Sequence, residues 1–454
     1  MRGPEIITFS KGVIEWTTDP IGCFCVIEIN GEKKAEGVIT KYKLTAADET
    51  IKLTAVYNGR KASTKIKHNA TRGTLEFLPV DVKADGERIT WDKAGGASSY
   101  RVYDTEMNAV TVTRNTYDLS DRNIALCVCP NSRAGGVVRS ATPELIAPIP
   151  YLRGAGSKDN PYRIRTPFEL RTIDCFEIFA ACKQNAVGNY YVIENTLDYG
   201  EINALEGDSN LYRLKAPFFG TLDGNNNRLV NVRVNYHGGY WSLFDYITQR
   251  GCVKNMIFEN AEITNTARDN MHPVNPSVAL IAYTNYGEIT GIKLDQVRLA
   301  SAGGGVGGLV VHNYGRVTGC TVFGEYVQDL TSGMGNASYE MSGIALENHA
   351  GGVVGGNRIS SLKIRGADNI RSAAGIVSVN RDGGTVCANE FDSIMITGAV
   401  GFSEYGGLVA YNAGTVECTP SALGTLTVNG ERVEALVGVD NKGKAVGKND
   451  GTNN

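Results

Sequence analysis

The sequence predicts an all-β chain: a right-handed parallel β-helix (solenoid) with an N-terminal capping helix, preceded by two small β-sandwiches. Three observations carry this. An asparagine-centred pattern recurs about every thirty residues in the carboxy-terminal half. Glycine supplies 54 of the 454 residues and proline only 13, which suits short strands joined by tight turns better than disorder. The first third alternates apolar and polar residues between Asn-Gly pairs.

Length and charge narrow the possibilities. A soft prior of about 150 residues per domain suggests about three domains, read here as 1–72, 73–148 and 149–454. The net charge of −3 leaves no basic field for nucleic acid. No run reaches the roughly 20 apolar residues of a membrane span, and the start, Met1-Arg2-Gly3-Pro4, lacks the apolar core of a signal peptide. Of the 10 cysteines, Cys23/Cys25 and Cys127/Cys129 are spaced i, i+2 on one strand face, where thiols pair poorly with each other. With no CxxC and no HxxxH spacing, no metal site and no cofactor are expected, and most cysteines read as small buried side chains.

Along the chain, residues 6–68 form short alternating runs, with hairpins marked by Asn30-Gly31 and Asn58-Gly59, and 69–73 reads as a linker. A second unit follows. Its residues 87–103 resemble the second and third strands of a fibronectin type III domain, with Trp91, Tyr100 and Val102 where that family keeps its core Trp, Tyr and aliphatic. The first unit, with Trp16 and Tyr57-Asn58-Gly59, resembles a more divergent, immunoglobulin-like copy. Both are short for the family. The resemblance implies spacer modules of a secreted bacterial protein.

After Pro143, Pro148 and Pro150 the texture changes. Thr166 and Glu169 form a capping box with Pro167 at the first helical position, so a helix is expected over 167–183. Its apolar stripe of Leu170, Ile173, Phe176 and Ala180 suits a cap over the open end of a solenoid.

The repeat itself is clearest where residues 343–352 align without a gap on 375–384. Matching segments centre on Asn285, Asn313, Asn348, Asn380, Asn412 and Asn441, spaced 28, 35, 32, 32 and 29 residues apart. Residues four and two before each asparagine are expected to share its inward face, as in Leu309/Val311/Asn313 and Leu408/Ala410/Asn412. Each asparagine is expected to bond to backbone and to the next along the stack, and the glycine after it to supply a left-handed or strained corner in most copies. The pattern from Gly308 to Cys320, echoed from Gly407 to Cys418, resembles the GLUG-type repeat of bacterial surface proteins, and residues 154–170 and 219–229 resemble the opening coils of such proteins. That resemblance spans roughly residues 151–449 and implies fold; its family is associated with secreted adhesins and proteases.

Candidate sites come from the outer positions. Asp223 reads as a turn former before Gly224 rather than a calcium ligand. The residues just before each asparagine, Thr284, His312, Glu347, Val379, Tyr411 and Asp440, make a mixed row without convergent acids, so no catalytic residue is assigned. Tyr286 and Tyr314 follow consecutive asparagines and should stack outside, near His312 and His349, as a binding surface. Tyr240 and Trp241 in the loop 237–241, and the insertion 268–276, are further binding candidates. The first expectation is an extracellular or cell-surface adhesin, its sandwiches a stalk and its solenoid displaying a surface for a glycan or host glycoprotein. The alternatives are a polysaccharide lyase or glycoside hydrolase, and a homotrimeric phage tail or fibre component.

Overall fold

A computed structural model describes residues 1–45, 47, 49–119, 124–145, 147–182, 188–200, 211–267, 276–328, 339–418, 423–440 and 444–446. Two compact units result, Met1–Tyr151 and Leu152–Asn454.

The first unit consists of small Ig-like sheets. Asn30-Gly31 and Asn58-Gly59 adopt positive φ at both residues and close two-residue hairpins, pairing Ile29 with Glu32 and Tyr57 with Arg60. Residues 69–73, expected as a linker, are instead a hairpin turn. The Asn69 carboxamide accepts from the Arg72 amide at 2.9 Å, Gly73 takes φ +58°, and Thr74–Phe77 returns antiparallel on Arg60–Asn69. A six-stranded sheet contains both these strands, and Val138–Arg139 adds to its edge in parallel with Leu75 and Glu76. Trp91 and Tyr100 are buried edge to face at 5.4 Å, and the Tyr100 hydroxyl accepts from the Ala94 amide. Cys23, Cys25, Cys127 and Cys129 are buried free thiols.

The second unit is a parallel β-helix of about seven turns. Each turn gives one strand to each of three parallel sheets. Identical positions of successive turns stack in register. The column Leu222, Val253, Ile289, Val317, Val354, Val386 and Val416 has no member more than 1% exposed. Such columns allow three-residue strands to persist, because each apolar side chain is covered by its counterparts above and below.

One end of the unit carries the expected helix as two segments, α1 (Pro167–Arg171) and α2 (Ile173–Cys182). Thr166 caps α1 through the Glu169 amide, and the Glu169 carboxylate reaches back to the Arg165 amide at 2.6 Å. Two buried acids of α2 tie it to backbone that would otherwise lack partners. Asp174 accepts from Ala216 N at 2.7 Å, and Glu177 accepts from Phe219 N at 2.7 Å and the Tyr191 hydroxyl at 2.6 Å. Burial pushes Asp174 up to about 6, against these hydrogen bonds. From α2 a line of rings, Phe176, Tyr162, Tyr191, Phe218 and Phe244, runs into the solenoid at centroid spacings of 4.5, 5.6, 6.1 and 4.7 Å.

The seven-stranded sheet, from Phe244–Ile247 through Val437–Asp440, carries the asparagines. Asn285 Nδ2 donates to Asn313 Oδ1, Asn313 to Asn348, Asn348 to Asn380 and Asn380 to Asn412, each at 2.8 Å, and every one is wholly buried. The sixth place is taken by Asp440, whose Oδ1 accepts from Asn412 at 2.8 Å; Asn441 lies outside the described residues. The last spacing is therefore 28 residues, not 29.

Two further expectations change. The pairing register skips the residue two before each asparagine, and Val311 and Leu346 pack with Ala279 and Tyr283 in a small cluster of their own. Strict alternation is thus broken once per coil. After Asn348 and Asn380, Gly351 and Gly383 take φ of 82 and 76°, whereas after Asn285 and Asn313 Gly287 and Gly315 do not take positive φ. They are needed because a Cβ would lie on the carbonyl oxygen of the preceding coil, Gly251 or Gly287. A left-handed residue recurs in successive coils at the next bend, where Asn255, Gly291, Gly319, Gly356 and Ala388 have φ of 55, 63, 63, 64 and 51°. There a second amide pair forms, with Asn357 donating to Asn389 at 3.0 Å.

Replacing Asn348 by Ala removes the ladder bonds on both sides and strands buried amide groups of Asn313 and Asn380. A loss of about 2–4 kcal/mol is expected by denaturant titration. A change below 0.5 kcal/mol, the size of a neutral surface substitution, would mean that the ladder does not stabilise the stack.

Candidate functional site

The outer side of the asparagine corner carries two rows of side chains that meet. In the first, Tyr246 lies 5.2 Å from Tyr286, Tyr286 stacks on Tyr314 at 4.6 Å and 6°, and Tyr314 stacks on His349 at 4.2 Å and 10°. Tyr286, Tyr314 and His349 each follow a ladder asparagine, so the inward amide bonds hold the rings one coil apart. Arg381 occupies the next place in that column. Since the rings face each other, what they offer outward is edges and hydroxyls.

In the second row, the Arg213 guanidinium lies over the Tyr240 ring at 4.4 Å and is anchored by Asp245 at 2.6 Å. Tyr240 stacks on Tyr283 at 3.8 Å, and Tyr283 meets His312 edge-on at 5.1 Å. His312 pairs in register with Glu347 of the next coil.

The rows converge on one carboxylate. Glu347 Oε2 lies 3.2 Å from His349 Nε2 and 3.7 Å from His312 Nδ1, and the two imidazole nitrogens are 3.3 Å apart. Arg381 holds both oxygens, Nη2 at 3.0 Å from Oε1 and Nε donating to Oε2 at 3.3 Å. The three side chains around Oε2 are 16–28% exposed, so the cluster sits half-buried and reachable. Burial alone would raise the Glu347 pKa, but the His312 and His349 imidazoles beside it and the Arg381 guanidinium that donates to it hold it well below the usual carboxylate range. Close by, Glu340 is driven the other way, up to about 7, by burial and by the charge of Glu347. His312, Glu347 and His349 are the one group of three potential metal ligands among the described residues.

The structure thus brings together Tyr286, Tyr314, His312, His349 and Tyr240. Trp241 is different: it is 1% exposed, donates its amide to Ser277 O and faces the interior, so it offers nothing to a ligand. Residues 268–275 of the insertion lie outside the described residues. Asp223 is a turn residue, accepting from the Asn225 amide at 2.8 Å and from Lys254 at 3.1 Å. Sequence reasoning passed over Glu347, Arg381, Tyr283, Arg213 and Glu340. Glu347 stood in the outer row, but its importance lies in a register pairing with His312, 35 residues earlier, that becomes visible only once the coils are aligned.

No family model matches the chain. A stretch of 112 residues, 24% of this chain, is 29% identical to halomucin of Haloquadratum walsbyi, and spans 1% of that protein. Among solved structures, an IgA1 protease aligns with 93% of this chain and 28% of that chain, at 13% identity and a TM-score of 0.38.

Glu340 gives a pH signature. Its raised folded-state pKa means that protonation favours the folded form: that contribution is full below the ordinary glutamate value and is lost as pH rises through about 7. Glu340→Gln should therefore raise Tm at pH 8 by about 2 °C or more and leave it unchanged near pH 4. An equal effect at both pH values in thermal melts would contradict the assignment.

Proposed function

We propose that this is an extracellular or cell-surface binding protein, and that the ligand face is the strip where the two aromatic rows meet on the seven-stranded sheet. The observation that carries the reading is the continuous column Tyr246, Tyr286, Tyr314 and His349, running along the solenoid axis beside the Glu347–Arg381 pair. Phenol hydroxyls, imidazoles, a carboxylate and a guanidinium recur there at the rise of one coil, on side chains whose rotamers are fixed by stacking. An extended polyhydroxylated chain, a glycan or the glycan of a glycoprotein, matches such a strip: its hydroxyls meet donors and acceptors in series, and its C–H faces meet ring edges. Surface display as an adhesin, the kinship with GLUG-type proteins and the fibronectin-like character of the first unit belong to the same proposal.

A second reading, a polysaccharide-cleaving enzyme, is favoured by one observation. Glu340 and Glu347 are neighbouring carboxyls whose environments push their pKa values apart, the arrangement that lets one act as acid while the other stays charged. Two measurements separate the readings: a glycan and mucin array of the intact chain, and reducing-end release from the same polysaccharides. The binding reading expects retention without product. It also expects Tyr286→Phe/Tyr314→Phe, which keeps the stack but removes the hydroxyls, to weaken retention about tenfold, or 1.4 kcal/mol. Product formation that stops in Glu340→Gln would replace it with the enzymatic one, and retention unchanged by the double variant would remove the strip from the account.

A further inference from the structure

We propose that His312, Glu347 and His349 form a Zn2+ site with three protein ligands and an open fourth position. The geometry of the three donor atoms is the main argument. Zinc bonds of about 2.0–2.1 Å to nitrogen and oxygen place the corners of a tetrahedron about 3.3 Å apart. The triangle of His312 Nδ1, His349 Nε2 and Glu347 Oε2 has edges of 3.3, 3.2 and 3.7 Å. One cation in the face of that triangle would reach all three atoms with little movement.

The chemistry of the trio agrees. A neutral imidazole presents a lone pair at one of its ring nitrogens, and His312 Nδ1 and His349 Nε2 face each other at 3.3 Å beside the same carboxylate oxygen. A cation that takes both lone pairs and the carboxylate satisfies all three at once. Two nitrogens and a single oxygen favour zinc over calcium or magnesium, which require oxygen-rich shells.

The ligands are also pre-positioned. Glu347 and His349 flank the buried Asn348, so the ladder bonds that point Asn348 inward turn both neighbours outward. His312 precedes Asn313 in the coil before and is brought level with Glu347 by the same ladder. Tyr314 stacked on His349 and Tyr283 edge-on to His312 fix the ring planes, and Arg381 grips both carboxylate oxygens, Nη2 to Oε1 at 3.0 Å and Nε to Oε2 at 3.3 Å, which fixes the carboxylate with Oε2 beside the imidazoles. The Arg381 charge partly opposes a cation, and Glu340 beside the cluster supplies a compensating negative charge when ionised.

The site stands apart from the glycan reading, because a chain that retains no sugar can still hold the metal. Its test is a Zn2+ titration of the full chain after chelator treatment, followed by calorimetry, with Co2+ as a spectroscopic stand-in. Because all 10 cysteines are free thiols, the decisive quantity is a difference between variants. The wild type should bind one equivalent more than His312→Ala/His349→Ala, and the isosteric Glu347→Gln should weaken that equivalent at least tenfold. His237→Ala, on an exposed loop, should match the wild type. The added equivalent of Co2+ should give visible d–d bands without near-ultraviolet thiolate charge transfer, and Zn2+ should raise Tm in the wild type but not in the double variant. Equal stoichiometry in wild type and double variant, affinity unchanged in Glu347→Gln, or a purely thiolate Co2+ spectrum would each overturn the proposal.

Discussion

The buried amide ladder is the interaction on which the rest of the second unit depends. A carboxamide enclosed in an apolar solenoid must find both a donor and an acceptor, and each asparagine does so by giving its Nδ2 to the next Oδ1 at 2.8 Å. Slipping one coil by a single residue would leave two buried amides without partners and would turn an apolar column outward. The ladder therefore sets the register of the seven-stranded sheet even though the chain between successive asparagines varies from 28 to 35 residues. Loops can lengthen without disturbing the corner.

That register is what creates the candidate site. No segment of the sequence contains it: Tyr286 and Tyr314 are 28 residues apart, and His312 and Glu347 are 35 apart. They meet because each sits one residue before or after a ladder asparagine, so the inward constraint on the amide is also an outward constraint on its neighbours. Glycines that admit the close approach of successive backbones, as at Gly315 against Gly287, permit the stacking distance that puts the rings face to face. The electrostatics follow from the same placement. Glu347 is surrounded by His312, His349 and Arg381 and stays ionised, and its charge, added to burial, drives Glu340 up.

Much of the fold was legible in the sequence because its signals are local or periodic. The Asn-Gly hairpins, the Thr166 cap and the repeat each rest on residues whose backbone preferences or burial leave few alternatives. The asparagine contacts were legible too, since a buried polar residue repeated at one corner has few partners besides itself. What escaped had non-local causes. Asp440 took the sixth ladder place because a carboxylate accepts from Asn412 as well as a carboxamide would. The residue 69–73 turn looked like a linker because polarity does not distinguish the two. Trp241 looked exposed because its loop is glycine-rich, yet its large apolar ring is worth more inside the solenoid. The His312–Glu347–His349 cluster carries no spacing motif, since its ligands are assembled across coils rather than along one helix or loop.

Consecutive asparagine corners lie directly above one another, and cysteine cross-linking measures this. Tyr286→Cys/Tyr314→Cys should give a 286–314 disulfide on mild oxidation, identified by peptide mapping, because parallel neighbours about 4.8 Å apart fall within disulfide reach. Tyr286→Cys/His349→Cys, two coils apart, should give none. A 286–349 disulfide, or none in the first pair while the fold persists, would contradict the stacking that places every residue of the site.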